Sequence, residues 1–143
     1  MKANSKNFQD VLLAYINGLE LSRSDGRPFV SRLDYFEADD EDMVLNLLPN
    51  GNVRKSYMDG SKEIELPFEV AVKSKDNQTG NAALWNITAA LSDDALDLPS
   101  TDGSYIFLDV RPNRPGFAGR DEQGYYVHTL NITAAIEIPG GNT

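Results

Sequence analysis

The chain has 143 residues, 41% of them hydrophobic and 24% charged, with a formal net charge of −9. That length fits one domain spanning residues 1–143, with a core large enough to stand without metal or disulfide. The absence of cysteine excludes a disulfide framework, a thiol nucleophile and cysteine-based metal sites, and the acidic balance argues against nucleic-acid binding as the main activity.

Residues 1–10 contain no apolar h-region, so no secretory signal is expected. No apolar run approaches the ~20 residues of a membrane span. A soluble chain made in the cytoplasm is the expectation.

Phe8, Val11, Leu12, Tyr15 and Ile16 share one face at helical spacing, which predicts a helix over 7–17 with Gly18 as its stop. Residues 34–42 then place six acids in nine positions, Asp39, Asp40 and Asp42 among them. The run lacks the alternating ligand spacing and glycine of a calcium loop, so it reads as a solvated acidic segment. Strands are predicted at 43–48 and 53–57, joined as a hairpin through Asn50-Gly51.

Residues 63–73 alternate strictly, with Ile64, Leu66, Phe68, Val70 and Val72 on one side and Glu63, Glu65 and Glu69 on the other. That pattern is a strand with one face on a core. Pro67 cannot donate to a central ladder and points to an edge or a bulge. A second helix is predicted over 81–91, with Asn81 as its cap. Strands at 105–111 and 125–138 follow, the first with Ile106, Leu108 and Val110 on one side. Residues 139–143 read as a tail. Asn-Ile-Thr-Ala-Ala occurs at both 86–90 and 131–135, and flanking periodicity assigns one copy to a helix and the other to a strand.

The segment 111–124 is rich in Pro and Gly and carries Arg111, Arg114 and Arg120. It reads either as a flexible loop joining two strands or as a basic arm that reaches an acidic neighbour, for which 34–42 of an adjacent copy is a candidate. Little else points to chemistry. Glu63, Glu65 and Glu69 read as a wet strand face, and His128 as a hydrogen-bonded core or rim residue with no catalytic partner at a motif spacing. The Asn-x-Thr triplets and the short glycine strings lack the context that would make them glycosylation or phosphate sites. No catalytic, cofactor or metal residues are assigned.

Tyr57-Met-Asp-Gly60, Leu66-Pro67-Phe68 opening an alternating strand, the Ala/Leu/Trp helix at 81–91 and the long closing strand together resemble the minor capsid or tail-terminator proteins of long-tailed phages. The resemblance covers roughly residues 5–138. It implies an α+β fold, with a mostly antiparallel sheet of about five strands and two helices on one face. It further implies a ring, typically a hexamer, at the head-proximal end of the tail, a virion component assembled in the host cytoplasm. The implied partners are tail-tube and head-completion or neck proteins, with DNA passing through unbound and no membrane contact. The candidate contact residues are Arg111, Arg114, Arg120, Glu63, Glu65, Glu69, Asp39, Asp40 and Asp42. A head-closure connector is the nearest alternative. A small hydrolase or ligand-binding domain using Glu63, Glu65, Glu69 or His128 is the alternative of a different class.

Overall fold

A computed structural model describes residues 2–27, 29–33, 36, 41–48 and 51–140. Helices α1 (Lys2–Gly18) and α2 (Asn77–Leu91) accompany strands β1 (Asp42–Leu47), β2 (Asn52–Ser56), β3 (Lys62–Ser74), β4 (Ile106–Pro112), β5 (Gly116–Arg120) and β6 (Tyr126–Ile138). The strands form one antiparallel sheet, so the chain is α+β as the periodicity predicts, with six strands in place of about five.

Two thirteen-residue strands, β3 and β6, run side by side from the Lys62–Ile138 pair to the Ser74–Tyr126 pair. The other side of β3 is shared: β1 pairs with 68–73 and β2 with 62–65. In the same way β4 and β5 lie end to end along β6. The predicted hairpin between β1 and β2 is therefore corrected, because both strands pair with β3. This arrangement gives nearly all of β3 a partner on each side, which a β1–β2 hairpin would not. The predicted turn residues Pro49 and Asn50 lie outside the described residues.

Pro67 does not mark an edge. The Leu48 amide donates to the Pro67 carbonyl at 2.8 Å, beyond the last β1 pair and short of the first β2 pair. The missing Pro67 N–H thus falls in the gap between the two short strands, where no ladder bond is lost.

Residues 111–124 are not one flexible loop. They contain the end of β4, all of β5 and a turn in which the Asp121 amide donates to the Tyr125 carbonyl at 2.9 Å. Pairing with β6 overrides the weak strand propensity of Gly-Phe-Ala-Gly-Arg. A register shift between Phe107 and Asp109 also breaks the expected alternation in β4. Phe107 and Val110 turn inward, while Ile106 and Leu108 are exposed. The bulge changes the phase of every later side chain.

The two halves of the sheet repeat each other. Each strand of the second half begins 64 residues after its counterpart, at 42 and 106, 52 and 116, and 62 and 126. The turns correspond as well: Gly60 and Gly124 have φ of 88° and 89°, and the Tyr57 amide bonds the Ser61 carbonyl as Asp121 does Tyr125. The halves are related by an approximate dyad perpendicular to the sheet.

Both helices cover one face. Phe8, Leu12 and Ile16 of α1, and Ala83, Leu84, Ile87 and Leu91 of α2, close over Ile64, Leu66, Phe68, Val70 and Val72 of β3 and Leu130, Ile132, Ala134 and Ile136 of β6. The Phe8 ring lies 5.7 Å from Phe68 and 5.4 Å from Tyr105. Each helix starts earlier than its periodicity predicts. In α2 the cap is Asp76 and not Asn81: its carboxylate accepts from the Gln78 amide at 3.2 Å and the Thr79 hydroxyl at 3.0 Å. That satisfies donors which the first helical turn leaves without partners.

Candidate partner interface

The face of the sheet away from the helices is polar. Alternation in β3 brings Glu63, Glu65 and Glu69 onto it, and pairing brings Asn131, Thr133 and Glu137 alongside from β6. A chain of ion pairs crosses this face. Arg54 of β2 lies 3.4 Å from Glu63 and 3.6 Å from Glu65, and Arg111 of β4 lies 2.6 Å from Glu65 and 3.3 Å from Asp109. Arg111 spans β6 because the residue paired with both Glu65 and Asp109 is the small Ala135. The Tyr57 hydroxyl donates to Glu63 at 3.1 Å, and this bond raises the phenol above its ordinary pKa.

The structure therefore brings Glu63, Glu65 and Arg111 together within one chain. Glu69 sits half-buried on the same face, opposite Asn46 and Asn131. Arg114 and Arg120 lie elsewhere. Arg114 is exposed between β4 and β5, and Arg120 stacks its guanidinium 5.2 Å from the Tyr126 ring centre. Among the described residues neither makes an ion pair, and the Arg120 Nε donates to the Gly124 carbonyl at 3.5 Å.

The acidic segment divides. Asp39 and Asp40 lie outside the described residues. Asp42 is buried, 2.6 Å from Arg32, and is not a surface charge. Glu41 is buried too, and accepts from the Ser24 amide and hydroxyl, the Ser74 hydroxyl and the Lys75 amide. Burial pushes its carboxyl up, but those four donors outweigh burial and hold its pKa below the ordinary glutamate range. Thus Glu41 and Asp42 act as internal ties and are not part of a solvated acidic segment. Burial this specific leaves no periodic signal in a run of acids.

His128 is 4% exposed and faces the helices, next to Phe117 at 5.3 Å between ring centres. Its Nδ1 has no hydrogen-bond partner among the described residues, which corrects the expectation of a bonded core histidine. Burial lowers its pKa. Gly80 makes room for the ring, since a Cβ there would stand 3.1 Å from Nδ1. Chemically, Glu63 and Glu65 are held by arginines, and the His128 ring lies against Phe117 and Gly80. Among the described residues no three metal-ligating side chains converge, and no helix is long and apolar enough to cross a membrane.

Three exposed edges remain. β2 is exposed throughout and carries Arg54 and Lys55; β4 exposes Ile106 and Leu108; β5 exposes Phe117. The β1 edge is partly closed, because the Arg32 carbonyl accepts the Leu45 amide at 2.8 Å. The two sides of the sheet are thus unlike: the β2 edge carries Arg54 and Lys55 and no acid, whereas the β4–β5 edge sets exposed Ile106, Leu108 and Phe117 among Arg111, Arg114 and Arg120.

A family model described as bacteriophage tail terminator protein matches residues 14–138, most of the chain and all six strands. No curated protein matches.

Proposed function

This chain belongs to the bacteriophage tail terminator family, and from that premise we propose that it forms a ring, six copies round, at the head-proximal end of the tail. The ring stops growth of the tail tube and presents the surface to which head-completion or neck proteins join. It acts by docking and not by turnover, and DNA passes through without specific binding. Tail terminators are structural components of phage tails, and the match over 14–138 carries the reading.

The geometry supports it in two ways. A closed ring needs two different patches on each subunit, and the short β2 edge with Arg54 and Lys55 differs from the β4–β5 edge, where exposed Ile106, Leu108 and Phe117 lie among Arg114 and Arg120. A net charge of −9 also gives DNA phosphate no counter-charge. Arg114 and Arg120, which make no ion pair among the described residues, are the cations we assign to an acidic neighbour.

Native mass spectrometry over a concentration series, with and without tail-tube protein, tests the proposal. A closed species near six copies, alone or on tube ends, is the expected result. A monomer that neither assembles nor caps tubes overturns it. Reversal of Arg114 and Arg120 to Glu is expected to abolish the ring and leave the fold intact.

A further inference from the structure

Helix α2, Asn-Gln-Thr-Gly-Asn-Ala-Ala-Leu-Trp-Asn-Ile-Thr-Ala-Ala-Leu, contains no charged residue, whereas every other helix and strand contains at least one. It is nonetheless a surface helix. Gly80, Ala83, Leu84, Ile87 and Leu91 are buried, while Gln78, Asn81, Ala82, Trp85, Asn86 and Ala89 are exposed. A surface helix ordinarily places charges on its outer face. Here that face is built from small and amide side chains around the only tryptophan of the chain, which is 46% exposed. Loss of charge together with an aromatic anchor is the composition of an interface core. Alongside, α2 and residues 19–23 border a groove of about 310 Å³ that reaches Ala82 and Asn86.

We infer that the outer face of α2, centred on Trp85, is the surface by which one copy of this chain seats against the next. The occupant follows from charge. Each copy carries −9, so copies packed side by side repel unless their contact is free of like charges. β2 and β5 also lack acids but carry cations; α2 is the one described element with no charge of either sign, so it sets no like charges together whatever part of a neighbour it meets. The contact is heterologous, since α2 against α2 would close a dimer and end growth at two copies. The inference rests on the ring reading above and adds the surface through which the ring closes.

Trp85 reports its own burial, because no second tryptophan contributes to the emission. Tryptophan fluorescence is followed through the concentration series used for native mass spectrometry, for wild type, Trp85→Glu and Ala82→Arg, each shown folded by circular dichroism. The wild-type emission is expected to shift to shorter wavelength in step with the assembled fraction. Each variant is expected to need at least about tenfold more protein to assemble, as for loss of an interface anchor. Rings that form in both variants at wild-type concentration overturn the inference and leave the ring reading standing. Variant rings that form normally but fail to cap tubes also overturn it, and assign the face to the tube. A wild type that forms no ring, alone or on tubes, defeats the ring reading and this inference with it.

Discussion

Phe68 of β3 pairs with Ile132 of β6 at the midpoint of their ladder, and Ile132 is also the residue 64 positions after Phe68. It is the one place where a residue pairs with its own counterpart, so the approximate dyad passes between these two side chains. Both are almost wholly buried. Phe68→Ala should cost about 3–5 kcal/mol and Ile132→Val about 0.5–1.5 kcal/mol. Urea denaturation measures both, and a Phe68→Ala loss below the Ile132→Val loss would contradict this account of the core.

The paired turns make a matched test. Gly60 and Gly124 hold φ near +88°, a conformation in which an added Cβ costs roughly 1–2 kcal/mol. Gly60→Ala and Gly124→Ala should each lower stability by that amount, and the double variant should lose the sum because the turns share no partner. Thermal unfolding of the three variants checks it.

Acid should destabilise the fold in two steps. The pKa of His128 is depressed by burial, so the unfolded chain binds its proton first. The stability tied to neutral His128 is complete above about 6.5 and is lost as pH falls toward the lower folded value. The Glu41 pKa is also depressed, so its contribution is complete above about 4.3 and is lost as pH falls through the folded value. In a melting-temperature profile, His128→Phe should flatten the upper step and Glu41→Gln the lower one. A profile unchanged by either substitution refutes the assignment.

The Arg111–Glu65 pair is short, but Arg111 is 57% exposed. Exposed pairs contribute about 0–1 kcal/mol. A double-mutant cycle with Arg111→Ala and Glu65→Ala should give a coupling within that range, declining as salt is raised. A coupling above about 2 kcal/mol would mean that the polar face is covered in solution.

The long strands were legible because alternation over 63–73 and 125–138 is a direct imprint of one-sided burial. The helices were legible in their middles and not at their starts, where Asp76 and not periodicity sets the beginning of α2. Tertiary pairing hid the rest. Asn50-Gly51 carries a hairpin signature, yet β1 and β2 pair with β3; Gly116–Arg120 has loop composition and becomes a strand beside β6. The two copies of Asn-Ile-Thr-Ala-Ala do take helix and strand, as flanking periodicity predicts. The true repetition lay elsewhere. Between 62–74 and 126–138 only Leu66/Leu130 and Ala71/Ala135 are identical, because a strand position specifies polarity more than residue type. Of the candidate contacts, the sequence identified the charges but not their state: Arg111 and Glu65 are already paired, Asp42 is buried, Arg114 is exposed, and Arg120 lies over Tyr126.

The dyad also sets the order in which the fold can be completed during synthesis. Through residue 74 the ribosome delivers α1, the β2–β3 hairpin and β1, which pairs with the far half of β3. The inner side of β3 must then wait for a strand encoded 64 residues later. At ~5–20 residues per second, that delay is roughly 3–13 s. During it a thirteen-residue strand with five large apolar side chains on one face keeps one edge unpaired, and nearby nascent copies carry the same edge. The interval between the two hairpins is when this chain is most exposed to misassembly, and lengthening the 75–125 connection would prolong it.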